Sequence, residues 1–299
     1  MADIDVDAVV ARAVHQIELD AASNPLINAS FDPHGLRQAL LHSPEPTWVF
    51  EHAGSISAHL FGALLGEPHD FAAWTGPDGY SYDNVGDLAA LVGHASSHWR
   101  DRGAGSHYVW CLDRPDRLED WSHLGYSRFS TRALLELGHE VPTVHHEGYL
   151  VRRGGAPDLR AAYDLDEQLD EAQGDRPNLR TAKERDAART QLRETIEDPE
   201  NQYFVVESEG RVVAQCITFP APQRRGSLPH TVFLSEVAVD REYRRRGLAR
   251  LLVGYALEHA RDANFKFCET QWRESNKVGA RFWTEYGFHT TYARLVRAL

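Results

Sequence analysis

The sequence has only three cysteines, Cys111, Cys216 and Cys268, and no hydrophobic run reaching the roughly 18 residues that a bilayer span needs. The cysteines are odd in number, far apart and set in apolar runs. That excludes a disulfide framework and predicts reduced, buried thiols in a cytoplasmic protein. CxxC, HExxH and comparable ligand spacings are missing, so the 16 scattered histidines give no metal motif and no metal is expected. The chain opens Met1-Ala2-Asp3-Ile4-Asp5-Val6-Asp7, acidic rather than basic and then apolar, so no signal peptide and no membrane partner are expected.

Positive charge is scarce in the first half. Residues 1–147 hold 21 Asp/Glu against 8 Lys/Arg, a net −13, whereas residues 148–299 hold 23 against 24. Such a half is a poor surface for nucleic acid, where phosphate neutralisation dominates affinity. It would steer a cationic partner inward, although an ordinary solubilising surface has the same composition. At 299 residues and 42% hydrophobic, the chain suits two globular domains.

What the sequence does contain is a repeat of itself. The run Thr47–Ala58 and the run Tyr203–Ala214 each read as a β-hairpin with glycine in the turn, and Glu51, Gly54 and Ala58 match Glu207, Gly210 and Ala214 at an offset of 156. A helix follows in each half: Gly86, Gly93, His98, Arg100 and Asp101 match Gly247, Gly254, His259, Arg261 and Asp262 at 161. Near each end, Trp121–Tyr126 matches Trp283–Phe288 at 162. Three blocks in one order with small drifts indicate a duplicated domain. The polar stretch 138–147 separates the copies, giving domains 1–146 and 147–299. In the second copy strands alternate with helices, which predicts an α/β or α+β layer architecture.

The chemistry concentrates in Leu234–Leu252. A β-branched strand ends in Asp240-Arg241-Glu242-Tyr243-Arg244-Arg245-Arg246-Gly247, and a helix begins at once. Leu248, Leu251, Leu252, Tyr255, Ala256 and His259 give that helix an apolar face. The N–H groups of its first turn lack intrahelical partners, the helix dipole adds positive charge, and glycine lets a ligand approach the backbone. With three arginines alongside, this is a site for an anion such as pyrophosphate. A solvated basic turn before a core helix would read similarly.

Arg244-Arg245-Arg246-Gly247-Leu248-Ala249 resembles the (Gln/Arg)-x-x-Gly-x-(Gly/Ala) signature of the GCN5-related N-acetyltransferase (GNAT) superfamily. Glu236–Asp240 is similar to that family's fourth strand, and Asn276–Phe288 to its later helix with the closing Gly-Phe. The resemblance covers about residues 148–299. The first copy resembles the same fold without the phosphate loop, since Asp83-Asn84-Val85-Gly86-Asp87-Leu88 stands in its place. The whole is similar to the tandem layout of the mycothiol synthases. The implied fold is two tandem domains, each a mixed, largely antiparallel sheet flanked by helices. Only the second is expected to bind acyl-CoA, because carboxylates beside a pyrophosphate repel it.

The resemblance implies acetyl-CoA as cosubstrate and an amine as acceptor, with the acidity of the first half favouring a cationic one. Glu236 is the candidate general base, acting directly or through a water, with Glu269 second. Either could instead be an ordinary strand carboxylate. Val237, Ala238 and Val239 would line the pantetheine arm, and a backbone N–H there would steady the developing oxyanion. Arg244, Arg245, Arg246, Gly247, Leu248, Ala249 and Arg250 would hold the pyrophosphate. Asn276 would contact the CoA arm, or cap its helix, or both. The family's usual tyrosine acid is replaced by Trp283, whose indole is no useful acid. Tyr255, Tyr286, Tyr292 or water remain as proton donors. A non-catalytic acyl-CoA-binding protein and a transferase of another acyl group are the rival readings. A monomer is expected, the tandem copies satisfying each other's contacts.

Overall fold

Both hairpins turn on the same two-residue device. Ala53 and Gly54 have φ of 51° and 82°, and Glu209 and Gly210 have 51° and 76°. Two successive positive φ values define the type I′ turn, whose twist matches that of paired strands. These are the glycine turns expected from the repeat. The computed structural model describes residues 4–66, 71–138, 147–173 and 182–299.

The described residues form two compact units. One holds those up to Arg132 with Arg224–Leu228 and Thr290–Leu299; the other holds Ala133–Gln223 and Pro229–His289. The expected linker 138–147, with His145 and His146, lies almost wholly outside the described residues, as does the interruption at 175–178.

In chain order the first copy runs α1 (Val6–Ser23), α2 (Pro33–Leu41), β1 (Trp48–His52), β2 (Ser55–Leu60), β3 (Ala63–Leu65), β4 (Phe71–Thr75), β5 (Tyr80–Tyr82), α3 (Val85–Asp101), β6 (Ala104–Leu112), α4 (Pro115–His123) and β7 (Ser127–Glu136). The second runs β8 (Leu150–Arg153), α5 (Leu159–Gln173), α6 (Ala182–Glu197), β9 (Gln202–Ser208), β10 (Arg211–Pro220), β11 (Thr231–Val239), α7 (Leu248–Asp262), β12 (Phe267–Arg273), α8 (Lys277–Tyr286) and β13 (His289–Ala298). Helix starts follow their caps. Asp5 Oδ1 accepts from the Ala8 N–H at 3.0 Å, and Asp32 Oδ1 from the Gly35 N–H at 3.0 Å with Pro33 opening the helix.

Within the first unit, β1, β2 and β5 form one antiparallel sheet, and β3, β4, β6 and β13 lie in order in another. The last strand of the chain therefore belongs to this unit, running antiparallel to β6 from Tyr292 opposite Leu112 to Ala298 opposite Ser106. Helix α3 packs Leu88, Leu91, Val92, Ala95 and Trp99 on these strands. Within the second unit the order is β12-β11-β10-β9-β8. The pairing is antiparallel throughout except between β11 and β12.

In the second unit, α7 covers one sheet face with Leu248, Leu251, Leu252, Val253, Ala256 and Leu257. Helices α5 and α6 cover the other, where Ala162, Leu192 and Ile196 meet Tyr203, Val205 and Ile217. The helical periodicity read from the sequence holds for α7 with one exception. His259 is exposed, its ring 4.3 Å from Tyr255 and 5.0 Å from Phe204. Its place in the last turn suits a polar ring. Cys216 and Cys268 are buried in this core and Cys111 in that of the first unit, all three as free thiols.

Candidate active site

Strand β11 is irregular where Glu236 sits. Gln215 of β10 pairs with Ala238 and Ile217 with Ser235, so Glu236 and Val237 together oppose Cys216 alone. This is a β-bulge, and Glu236 takes φ of 54° to make it. A non-glycine residue in that region costs about 1–2 kcal/mol, held in place here by the strands on either side. A bulge re-aims the side chain that carries it.

On its other edge β11 leaves its partner. It pairs in parallel with β12 at only three positions, Thr231–Phe267, Val232–Cys268 and Phe233–Glu269. Thr270 Oγ1 then donates to the Leu234 carbonyl at 3.0 Å, and the strands part. Among the described residues no strand lies against that edge of β11 from Ser235 to Val239, which leaves room beside it for an extended ligand with amides of its own. Glu269 sits at the last paired position and is buried, 2% exposed, at the throat of the fork.

The strand leads directly into the arginine loop. Asp240 accepts from the Glu242 N–H at 2.9 Å and pairs with Arg211 at 2.6 Å, shaping one short 3-10 turn over Arg241–Tyr243. Arg244 Nε donates to the Val239 carbonyl at 3.1 Å, and Arg246 Nη2 to the Glu242 carbonyl at 2.9 Å. The Arg246 guanidinium also lies 4.9 Å over the Tyr243 ring. These two arginines hold the loop. Arg245 makes no hydrogen bond or ion pair among the described residues and is exposed, with φ of 63°. Gly247 follows at φ 79° and starts α7 with no side-chain cap. Alternating left-handed residues before an uncapped helix form a concave nest of N–H groups, an anion cradle. Leu248 is buried in the core and Ala249 is half-buried, so these two offer the cradle only their backbone. Arg250 lies over the Tyr286 ring at 5.2 Å.

Asn276 caps α8: its Oδ1 accepts from the Gly279 N–H at 2.8 Å. Its oxygen is thus committed, and its NH2 remains the group for any ligand. Trp283 is 7% exposed and packs in the core, 4.9 Å from Phe282 and 5.2 Å from Phe288. Among the alternative donors, Tyr286 has a buried hydroxyl with a pKa pushed up to about 12 by burial. Tyr255 meets Phe204 edge to face and lies tilted against His259. Tyr292 is in the first unit, where burial pushes its pKa far up.

On the α5–α6 side of the sheet, Glu236 borders a pocket of about 180 Å³. Asp166, Gln191, Leu192, Thr195, Ile217 and Phe219 share its walls. Sequence reasoning did not find this pocket. One signal for it was present. Ala162, Leu165 and Asp166 follow helical spacing and all face inward, so an acid occupies a core phase of α5.

The first copy's counterpart of the cradle is closed by its own residues. The Asp87 N–H donates to Asn84 Oδ1 at 3.0 Å, and Asn84 Nδ2 donates to Asp87 Oδ2 at 2.8 Å. Ser57 Oγ adds a 2.7 Å bond to the same carboxylate. Among the described residues no group of three or more His, Cys, Asp or Glu is placed to hold a metal, and no helix is long and apolar enough to cross a membrane.

Residues 165–288 match the model of the acetyltransferase (GNAT) family. A search of curated proteins finds no match. Among solved structures, a GCN5-related N-acetyltransferase from Sphaerobacter thermophilus superposes with a TM-score of 0.65 at 17% identity, over 99% of this chain and 94% of that one. A tandem GNAT protein from the clavulanic acid biosynthesis pathway gives 0.55 at 18%, over 100% and 97%. A GCN5-related glucosamine N-acetyltransferase region of a fungal multi-domain β-N-acetylglucosaminidase gives 0.57 at 16%, over 99% and 37%. At these identities the likeness is one of fold, and the fold is the tandem GNAT fold that the repeat and the family resemblance together implied. GNAT family members are acetyltransferases, and acyl-CoA-dependent acetyl transfer is the general activity of the family.

Proposed function

We propose that the second copy transfers an acetyl group from acetyl-CoA to a primary amine, with Glu236 as general base. The observation that carries this reading is the bulge. It places a carboxylate at a pocket on one side of β11, beside a parted strand edge and an uncapped helix. The edge from Val237 to Val239 would hold the pantetheine arm. Arg245, the N–H groups at Gly247–Arg250 and the Arg250 guanidinium would hold the pyrophosphate, and the Asn276 NH2 would donate to the arm.

The amine arrives protonated, and its nitrogen must lose a proton before it can attack. Glu236 takes that proton directly or through one water. A C–N bond then forms and the C–S bond breaks. The nitrogen sheds a second proton, so one proton ends on sulfur and one in solvent. An N–H of the bulged strand steadies the carbonyl oxygen as charge builds on it. With Trp283 in the core, no side chain is assigned as acid. The chemistry tolerates this, because a thiol with a pKa of about 8.5 already leaves readily as its anion near neutral pH. The first copy, with Asn84 and Asp87 in place of the cradle, is assigned no acyl-CoA.

The test is thiol release from acetyl-CoA across a panel of amines. Glu236→Gln is expected to lower kcat by about 10²–10⁴, the range for a lost general base. Unchanged turnover in that variant would remove Glu236 from the role. Binding of acetyl-CoA without turnover of any amine would leave the non-catalytic reading.

A further inference from the structure

The loop before α7 is gripped from two neighbouring elements. From β10, Arg211 pairs with Asp240. From α5, two side chains reach Arg241. Gln168 Oε1 accepts the Arg241 main-chain N–H at 2.8 Å, and Glu171 Oε2 accepts from Arg241 Nη2 at 2.7 Å. Gln168 and Glu171 lie three apart and so share one face of the helix. The Glu171–Arg241 pair is exposed at both ends, by 62% and 61%, and such pairs are worth little. The Gln168 bond is of another kind, because it fixes main chain. Arg241 opens the 3-10 turn over Arg241–Tyr243, and the first N–H groups of a helical turn have no partner inside it. Asp240 accepts the Glu242 N–H and Gln168 the Arg241 N–H, so two successive N–H groups are each held by a side chain. One holder is local and the other comes from 73 residues away. The helix behind Gln168 is well seated. Ala162 and Leu165 are buried, and Gln215 Nε2 donates to the Ala162 carbonyl at 3.3 Å.

We propose that Gln168 is a positioning residue for the acyl-CoA cradle: it pins the turn at Arg241 so that the N–H groups following it converge on one anion. This rests on the reading above that the loop receives the pyrophosphate. The turn leads within a few residues to Arg245 and Gly247, whose φ values of 63° and 79° form the nest. A tilt of the turn is therefore carried into the cradle. Only chains with the cradle formed bind the anion, so the apparent Kd rises as the formed fraction falls. Helix α5 also lends Asp166 to the wall of the pocket beside Glu236. One packed helix thus sets both the pocket and the cradle.

The full chain is titrated by calorimetry with two ligands: acetyl-CoA, and 3′-phospho-ADP, which carries the pyrophosphate without the pantetheine arm. Gln168→Met keeps the length of the side chain and a good helix former but removes the acceptor oxygen. It is expected to weaken both ligands by about threefold to tenfold, the effect of one hydrogen bond of ordinary net worth on an equilibrium. Its midpoint of denaturant unfolding is expected to stay at the wild-type value, because the residue is half-buried. Gln168→Ala is expected to repeat the loss. Gln168→Glu restores an acceptor oxygen at the same reach and is expected to return both affinities to within about twofold of wild type. Unchanged affinity in Gln168→Met and Gln168→Ala overturns the proposal and leaves the cradle standing. A loss for acetyl-CoA that 3′-phospho-ADP does not share places the effect on the arm and also overturns it. Wild-type chain that binds neither ligand removes the acyl-CoA reading itself, and the proposal with it.

Discussion

Asn84 caps α3 by accepting the Asp87 N–H at 3.0 Å, and its Nδ2 donates to the Asp87 carboxylate at 2.8 Å. The matching stretch before α7 offers Arg245 and Gly247 and, among the described residues, no side-chain cap. One helix start gives its Asp87 N–H to its own side-chain cap, and the other has no such cap among the described residues. Asn84→Ala is expected to cost about 1 kcal/mol of stability, the usual worth of an N-cap, without creating an acetyl-CoA site. Thermal melts and an acetyl-CoA titration of that variant check both halves.

Asn276→Asp separates two roles that the sequence left open. Aspartate caps as well as asparagine, so stability is expected to hold. The NH2 donor is lost and a negative charge arrives, so acetyl-CoA affinity is expected to fall about tenfold or more, about 1.4 kcal/mol per decade. Equal affinity in a stably folded variant would make Asn276 a cap and nothing more.

Trp283→Tyr would place the family's usual acid at its usual position. The site is in the core, so the new hydroxyl would be buried and the smaller ring would leave a gap. The expected result is a loss of about 1–3 kcal/mol and no gain in kcat. A gain in kcat would show that the position faces the reaction.

Acid should destabilise the first unit through two buried histidines. Nε2–H of His107 donates to Thr75 Oγ1 at 2.9 Å, Thr75 Oγ1–H donates to the Phe61 carbonyl, and Tyr126 donates to His107 Nδ1. Ser81 Oγ is bonded to His59 Nδ1 at 2.8 Å, and His59 Nε2 to the Asp78 carbonyl. Burial holds both rings neutral, with pKa near 3 against 6.5 when unfolded. Above pH 6.5 neither state takes these protons and stability is flat. Below it the unfolded chain takes up to two that the folded chain refuses, so stability falls as pH drops toward 3. Asp20, pushed up to about 6 by burial, binds a proton in the folded state between pH 6 and 3.8 and offsets one of them. Near pH 5 the net loss from these three groups is about 1.4 kcal/mol per pH unit, measurable by denaturant unfolding. Replacing Asp20 by Asn should steepen that slope, and an unchanged slope would contradict the assignment.

What the sequence disclosed follows from periodicity and turn chemistry. Leu248, Leu251 and Leu252 marked the inner face of α7, and Gly54 and Gly210 marked the hairpins, because each depends on neighbours within one or two turns of chain. The bulge at Glu236 depends on register against Cys216, twenty residues away, and no local pattern records it. The pairing of β13 with β6 joins residues nearly two hundred apart, and chain order gives no hint of it. The pocket needed α5 and α6 laid over Ile217 and Phe219. Only the acid at a core phase, Asp166, hinted at it.

The central claim is that one copy binds acetyl-CoA and the other does not. Calorimetric titration of the full chain with acetyl-CoA reads this directly. The account predicts one site per chain, lost in Gly247→Glu, where a side chain is forced to φ 79° and a charge enters the cradle, weakened in Arg245→Ala, and kept in Gly86→Glu. Two sites per chain, or a single site lost in Gly86→Glu and kept in Gly247→Glu, would contradict it.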